Sequence, residues 1–194
     1  LIACAFISNA IVPTADIQRL AWRIYPYISA ELFLKWSEEE LPAAVQGVLQ
    51  GLARQGILES IEDGLAWRRP APTSPQAVQL SLLAQATIQT IERYYLAIAL
   101  LLQAGSGALT AKGLSERGQL MAQRIGMLYG FDSPEFSDRA MFDNFIALLL
   151  EREVLKTGEG GTLLYDEALE RVAVDAEFVL SEQIRHSILQ VTHA

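Results

Sequence analysis

The feature that most constrains the fold is one long stretch, Gln76–Gln103, that contains neither proline nor glycine. Drawn as a helix, this stretch carries apolar side chains on more than half of its circumference. Ser74 and Pro75 supply a helix N-cap and a favoured first residue, and Gly105 follows its end. We therefore predict one long helix, and its wide apolar surface indicates that other parts of the chain cover it on several sides.

The region before this helix predicts three shorter helices. A first helix starts near Thr14 and is expected to end at Pro26. A second keeps helical spacing over residues 28–36. Ser37 with Glu40 three residues later is a capping-box pattern, which indicates the start of a third helix.

A β-hairpin is expected after the third helix. That helix should cover Glu38–Gln55, and Gly56 is its stop signal. Residues 57–61 and 65–68 then flank a turn cluster of two acidic residues and a glycine. Three helices followed by a hairpin are typical of a winged-helix unit, in which the third helix would occupy the DNA-reading position.

The second half of the chain repeats this plan. Its expected elements are helices over Thr110–Tyr129 (stopped by Gly130) and Ala140–Glu153, a short helical turn from Ser133-Pro134, a strand–turn–strand around Gly158–Gly161 and a final helix over Asp166–Val191. The predicted fold class is therefore mainly α, with two winged-helix-like units of three helices plus a short β-hairpin. Each unit is followed by a long helix.

Composition excludes several classes of function. A net charge of -8 repels polyanions, and the helix in the DNA-reading position carries Arg54 alone against three glutamates, so no nucleic acid is expected as a partner. The single cysteine, Cys4, rules out an internal disulfide framework and fits a reducing cytosol. The longest purely apolar run, Leu96–Leu102, is far shorter than the roughly 20 residues of a transmembrane helix.

No catalytic pattern is evident in the sequence. Nucleophilic catalysis of the serine or cysteine type needs a base, and only His186 and His193 are available. Glu182 lies four residues before His186, which is more typical of an exposed helix-stabilising pair than of a metal site. Gly158–Gly161 lacks the lysine of a phosphate loop. We therefore assign no catalytic, cofactor-binding or metal-binding residues and expect no cofactor.

Several long, non-repetitive segments resemble one protein family. Tyr25–Trp36, followed by Glu39–Pro42 and Arg54–Leu58, resembles the C-terminal region of the bacterial glycerol-3-phosphate 1-O-acyltransferase (PlsB) family. Ala122–Arg124 and Gly130–Asp138 are similar to the same region further along. These segments keep their order over nearly the whole chain, so a chance similarity is improbable.

The resemblance implies that the catalytic part of the enzyme lies elsewhere. The family's acyltransferase motif is a histidine and an aspartate separated by four residues, with the histidine as general base. His186 is followed at that spacing by Val191, and His193 is followed by Ala194 alone, so the chain by itself is expected to be inactive. The expected divisions are a remnant of the segment joining the catalytic domain (1–12), a first winged-helix-like unit (13–75), the long helix and its loop (76–109) and a second unit with the C-terminal helix (110–194).

The resemblance also implies partners and a location. The parent would transfer an acyl chain from acyl carrier protein or coenzyme A to glycerol 3-phosphate, the first step of phospholipid synthesis, at the cytoplasmic face of the bacterial inner membrane. This region is expected to be soluble and non-catalytic, packing against the acyltransferase domain or a second subunit. Trp36, Tyr94 and Tyr95 are candidate contacts, because large aromatics gain most from desolvation at interfaces. The alternative is a tandem winged-helix module that binds protein or nucleic acid.

Overall fold

The computed structural model describes residues 1–129 and 134–192, and it confirms a mainly α-helical chain. The α-helices are α1 Thr14–Glu31, α2 Leu41–Arg54, α3 Pro75–Ala104, α4 Ala111–Tyr129, α5 Arg139–Glu151, α6 Glu167–Val179 and α7 Glu182–Thr192. The strands are β1 Ile11–Pro13, β2 Glu59–Ile61, β3 Ala66–Arg68, β4 Leu155–Thr157 and β5 Leu163–Tyr165. Within those two ranges, no helix is both long enough and apolar enough to cross a membrane.

These elements form two compact units. Unit 1 comprises Leu1–Ile88 and Phe178–Ser181, and unit 2 comprises the described part of residues 89–177 and 182–192. The boundary falls inside α3, whereas the sequence predicts divisions before and after that helix. Because α3 is apolar on most of its surface, each half of it can complete the core of a different unit.

Residues 1–12 are a structural part of unit 1. A 3-10 helix over Ile2–Phe6 buries every residue after its first, and the side chain of Phe6 is almost fully enclosed. In β1, the buried Val12 pairs with Trp67, and the sheet has the antiparallel strand order β1-β3-β2. The segment expected as the joining remnant therefore contributes both core side chains and a strand to this unit.

The structure confirms both predicted hairpins. β2 and β3 flank a turn over Glu62–Gly64, and β4 and β5 flank one over Glu159–Gly161. In the first hairpin, the indole N–H of Trp67 donates to the hydroxyl of Thr14 at 2.8 Å, and that hydroxyl donates to the carbonyl of Gly64. The start of α1 is thereby fixed to the hairpin.

Pro26 lies inside α1, so the prediction that it ends the first helix is wrong. Proline removes one backbone hydrogen bond, the one to the carbonyl of Trp22. The Trp22 side chain is exposed, which indicates that solvent can reach this face of the helix. The opposite face buries Ile28, and burial outweighs the lost bond. The expected separate helix over residues 28–36 is therefore not formed, because α1 continues to Glu31.

The two units share an order of elements. Unit 1 runs from a 3-10 helix through β1, α1, α2, β2 and β3. Unit 2 runs from the second half of α3 through an isolated β-bridge between Thr110 and Thr162, then α4, α5, β4 and β5. The two units thus share this order of elements, but the three helices expected before the first hairpin are two α-helices, α1 and α2.

The turns that lead from helix to hairpin match in detail. After α2, Gly56 has φ +70° and the N–H of Ile57 donates to the carbonyl of Leu52 at 2.9 Å. After α5, Glu153 has φ +58° and the N–H of Val154 donates to the carbonyl of Leu149, also at 2.9 Å. Both are helix ends with a left-handed residue that satisfies otherwise unpaired carbonyls.

The predicted single C-terminal helix is wrong, because two helices, α6 and α7, replace it. Phe178–Ser181, which spans the last two residues of α6 and the break before α7, belongs to unit 1. The side-chain amide of Asn9 donates to the carbonyl of Phe178 at 3.2 Å, which holds this segment in place. Periodicity does not reveal such a break, since it depends on a contact distant in sequence. The predicted stop at Gly130 and the start at Ser133 lie outside the described residues, and Pro134–Ser137 forms a 3-10 helix.

Candidate functional site

The ionisable residues considered above as a possible base or ligands are His186, His193 and Glu182. Among the residues that the structure describes, no group of three or more His, Cys, Asp or Glu side chains is placed to hold a metal ion. His186 is exposed on α7, and its Nε2 lies 2.9 Å from the side-chain nitrogen of Gln190. Glu182 is exposed one turn earlier, and His193 lies outside the described residues. Gln190 lies one turn after His186 on the same helix, at the spacing of side-chain pairs that stabilise exposed helices.

Unit 1 contains an apolar groove with a volume of about 260 Å³, here called the unit 1 groove. Its lining comes from the 3-10 helix, α1, the loop before α2, α2 and the first half of α3. Lining residues used below are Leu1, Tyr25, Trp36, Val48, Leu83 and Thr87. Val48 and Leu83 are 36% and 48% exposed, so the groove presents apolar side chains at the surface. Such surfaces mark binding sites when they are continuous.

Trp36 is held at the groove by a buried tyrosine. The Tyr25 hydroxyl accepts a hydrogen bond from the backbone N–H of Trp36 at 3.0 Å and donates to its carbonyl at 2.8 Å. Lys35 places its ammonium 5.2 Å from the centre of the indole ring. The Trp36 side chain remains 36% exposed. Of the three aromatic interface candidates, Trp36 is the one that offers surface to a partner.

Tyr94 and Tyr95 do not accompany Trp36. They are 6% and 4% exposed in α3, within unit 2. The ring of Tyr94 stacks on Phe145 of α5, with centroids 3.8 Å apart and planes 5° from parallel. Both tyrosines therefore act in the core of unit 2, where they have almost no surface left for another molecule. Their burial fits the wide apolar face of α3.

The predicted Ser37–Glu40 hydrogen bonds form, but they lie in the turn before α2, which begins at Leu41 and not at the predicted Glu38. The backbone N–H of Ser37 donates to a Glu40 carboxylate oxygen at 2.9 Å, and the N–H of Glu40 donates to the Ser37 hydroxyl at 3.3 Å. The hydrogen bond from the Ser37 backbone, followed by the one from its side chain, lowers the pKa of Glu40. Glu38 and Glu39 are exposed beside it. An acidic edge thus lies in the chain between Trp36 and Leu41, two residues that line the groove.

Two buried charged residues in α3 were missed at the sequence level. Glu92 is 5% exposed, and burial raises its pKa to about 7. Its Oε2 has no hydrogen-bond partner among the described residues. The guanidinium of Arg93 donates to the carbonyl of Glu135 at 3.0 Å. The available signal was an adjacent acid and base inside a stretch that is otherwise apolar or uncharged.

The fold is mainly helical, and unit 1 presents an apolar groove at its surface. Residues 1–158 match the family model described as the glycerol-3-phosphate acyltransferase C-terminal region. The chain belongs to this family, as the resemblance predicted.

Curated relatives agree with that assignment. The chain is 45% identical over 192 residues to a glycerol-3-phosphate acyltransferase of Pseudomonas aeruginosa (strain UCBPP-PA14), and 40% identical to one of Pseudomonas fluorescens (strain Pf-5). Each match covers 98% of this chain but 23% of the relative, so the chain spans about a quarter of the length of these proteins. No solved structure matches the chain significantly.

Proposed function

We propose that this region packs against the acyltransferase domain of the same polypeptide and supports its activity without supplying a catalytic group. The parent would transfer an acyl chain from acyl carrier protein or coenzyme A to the 1-hydroxyl of glycerol 3-phosphate, at the cytoplasmic face of the inner membrane. Family membership supports the reaction, and the coverage of about a quarter of each relative supports the division of labour.

The observation that carries the proposal is the chemistry of the surface. The unit 1 groove presents Trp36, Val48 and Leu83, whereas the exposed His186 contacts the side chain of Gln190 on the same helix. Activation of an alcohol needs a base within hydrogen-bond reach of the attacking hydroxyl. Apolar grooves with aromatic edges are instead typical of interaction surfaces.

We also propose that both units are winged-helix-like. In each, a helix and a short β segment precede two helices and a hairpin, and the early β segment pairs with the hairpin or at its edge. This order supports a variant in which α1 and α2 in unit 1, and α4 and α5 in unit 2, are the two helices before the wing. The variant differs from the expected three helices and hairpin, because the first helical element in unit 1 is the short Ile2–Phe6 segment.

A domain replacement tests the functional proposal. In the Pseudomonas aeruginosa relative, the matched region is replaced by this chain, and transfer from an acyl-coenzyme A to radiolabelled glycerol 3-phosphate is measured. The controls are the same relative lacking the region, and this chain alone. We expect acyl transfer by the chimaera, little transfer without the region, and none by the chain alone. Lysophosphatidate formed by the isolated chain would refute the non-catalytic role.

A further inference from the structure

We propose that the unit 1 groove is covered, in full-length members of the family, by the segment that immediately precedes position 1, folded as an amphipathic helix with lysine or arginine beside its apolar stripe. This inference rests on the proposed function. It adds which surface makes the contact, which part of the polypeptide fills it and what chemistry that part needs.

Position 1 is fixed at the groove. Leu1 lines it, and the N–H of Cys4 donates to the carbonyl of Leu1 at 2.9 Å within the 3-10 helix. The amino group of Leu1 donates to the hydroxyl of Thr87 in α3 at 3.2 Å. In a longer chain the nitrogen of this residue would be a backbone amide, which still has one hydrogen to donate to the Thr87 hydroxyl. The relatives are longer than this chain, and polypeptide that precedes the position of Leu1 in them would be attached at this edge of the groove.

The groove offers an occupant almost nothing polar. The Tyr25 hydroxyl is already bonded to both backbone groups of Trp36, and the Thr87 hydroxyl accepts from Leu1. Other lining side chains such as Val48 and Leu83 are aliphatic. A segment with unpaired polar backbone groups would lose hydrogen bonds on entering. A helix satisfies its own backbone and can present one apolar stripe, which is the usual helix-in-groove arrangement.

Size favours inserted side chains over a lipid tail. The volume of about 260 Å³ lies below the roughly 300–1,000 Å³ typical of small-molecule sites. A few side chains from one helix fit such a space, whereas a long acyl chain would leave much of its length exposed.

The acidic residues at the edge of the unit 1 groove indicate which side chains should flank the apolar stripe of the covering helix. Glu38 and Glu39 are exposed on the chain between Trp36 and Leu41, with Lys35 as the base in that loop. An occupant with lysine or arginine near this edge is attracted, and an acidic one is repelled.

Cysteine labelling tests the proposal on this chain. The single native cysteine, Cys4, is fully buried, so a new surface thiol can be followed alone. Val48→Cys reports the groove, and Val78→Cys is a matched control, since it replaces a 59% exposed valine on α3 that does not line the groove. Each variant is prepared as it stands and with about 30 residues, enough for several helical turns, fused before Leu1. These residues are taken from the Pseudomonas aeruginosa relative, from directly before its matched region.

We expect the fused segment to change the labelling rate of Val48→Cys but not that of Val78→Cys. The fused segment should slow maleimide labelling of Val48→Cys about tenfold, which corresponds to a groove covered about 90% of the time, and change Val78→Cys less than twofold. Circular dichroism confirms that every variant is folded. Equal rates with and without the segment overturn the proposal. Protection of unextended Val48→Cys by palmitoyl-coenzyme A, without protection by the segment, also overturns it by making the groove an acyl-chain site.

The charge of the groove edge is tested in the extended Val48→Cys chain. Replacing Glu38 and Glu39 by lysine should speed labelling about threefold at low salt, and added salt should remove the difference. An unchanged labelling rate at low salt would overturn the proposal that lysine or arginine flanks the apolar stripe.

Chimaera activity is measured separately, so that the two proposals can fail independently. An active chimaera with an unprotected groove refutes this inference alone, and a protected groove with an inactive chimaera refutes the proposed function.

Discussion

Substitution of Gly118 by alanine is expected to destabilise unit 2 because of one close approach. Gly118 lies in α4, and a Cβ atom built on it would lie 2.6 Å from Cδ1 and 2.7 Å from Cε1 of Phe142 in α5. Carbon atoms pack favourably at about 3.5–4.0 Å, so the ring must move by about 1 Å. Phe142 is fully buried and has little space into which it can move.

Two opposing effects set the magnitude. Alanine favours a helix interior over glycine by about 1 kcal/mol. Overpacking a well-filled core costs about 1–3 kcal/mol, and the two short contacts with a buried ring place Gly118→Ala at the upper end. The net expectation is a loss of about 2 kcal/mol in the free energy of unfolding. Gly47→Ala is the matched control, because nothing lies within 4 Å of its Cβ, and it should gain up to about 1 kcal/mol.

Urea unfolding followed by far-UV circular dichroism measures both changes, and hydrogen exchange of α4 and α5 amides localises the first. Trp22, Trp36 and Trp67 all lie in unit 1, so tryptophan fluorescence follows that unit separately. In a Phe142→Leu background the alanine at position 118 should cost less than half as much, since the ring has been removed. Equal stability of Gly118→Ala and Gly47→Ala would refute the packing argument.

Four further substitutions, in three tests, have expected outcomes. Burial raises the folded-state pKa of Glu92 from its ordinary 4.5 to about 7, so its ionisation lowers the free energy of unfolding as pH rises through this range. Glu92→Gln should therefore leave that free energy unchanged at pH 4 and raise it by up to about 3 kcal/mol at pH 8. The same difference in urea unfolding at both pH values would contradict this. Tyr25→Phe removes both hydrogen bonds to the Trp36 backbone and should cost about 1–2 kcal/mol in thermal unfolding with increased acrylamide quenching of tryptophan, whereas unaltered quenching would count against the positioning role. Glu153→Gly relieves a left-handed backbone and should gain about 1 kcal/mol, while Gly56→Ala at the equivalent turn should lose about as much; a loss for both would disprove the strain argument.

Much of the secondary structure could be predicted because its signals are local. α3 was predicted within one residue at each end, since Pro75 starts it and Gly105 follows it. The turns of both hairpins carry glycine and acidic residues, which mark strand–turn–strand patterns without knowledge of the rest of the chain.

The elements that were missed depend on contacts distant in sequence. Pro26 is tolerated in α1 because the buried face around Ile28 compensates for one lost bond. The break between α6 and α7 follows Phe178, whose carbonyl accepts a hydrogen bond from the side-chain amide of Asn9. The unit 1 groove joins five separate segments, and no single one of them predicts it. Trp36 and Tyr94 are both large aromatic residues, and the sequence does not show which of them is buried. In the structure, Trp36 lies in the loop before α2, whereas Tyr94 stacks on Phe145.

The enclosed Phe6 has a mechanical consequence for unit 1. Phe6 is anchored in the core of this unit, and Val12 extends its sheet six residues later. Residues 1–12 are therefore held along their length and do not behave as a loose arm. A force applied at residue 1 would act directly on side chains that keep unit 1 folded.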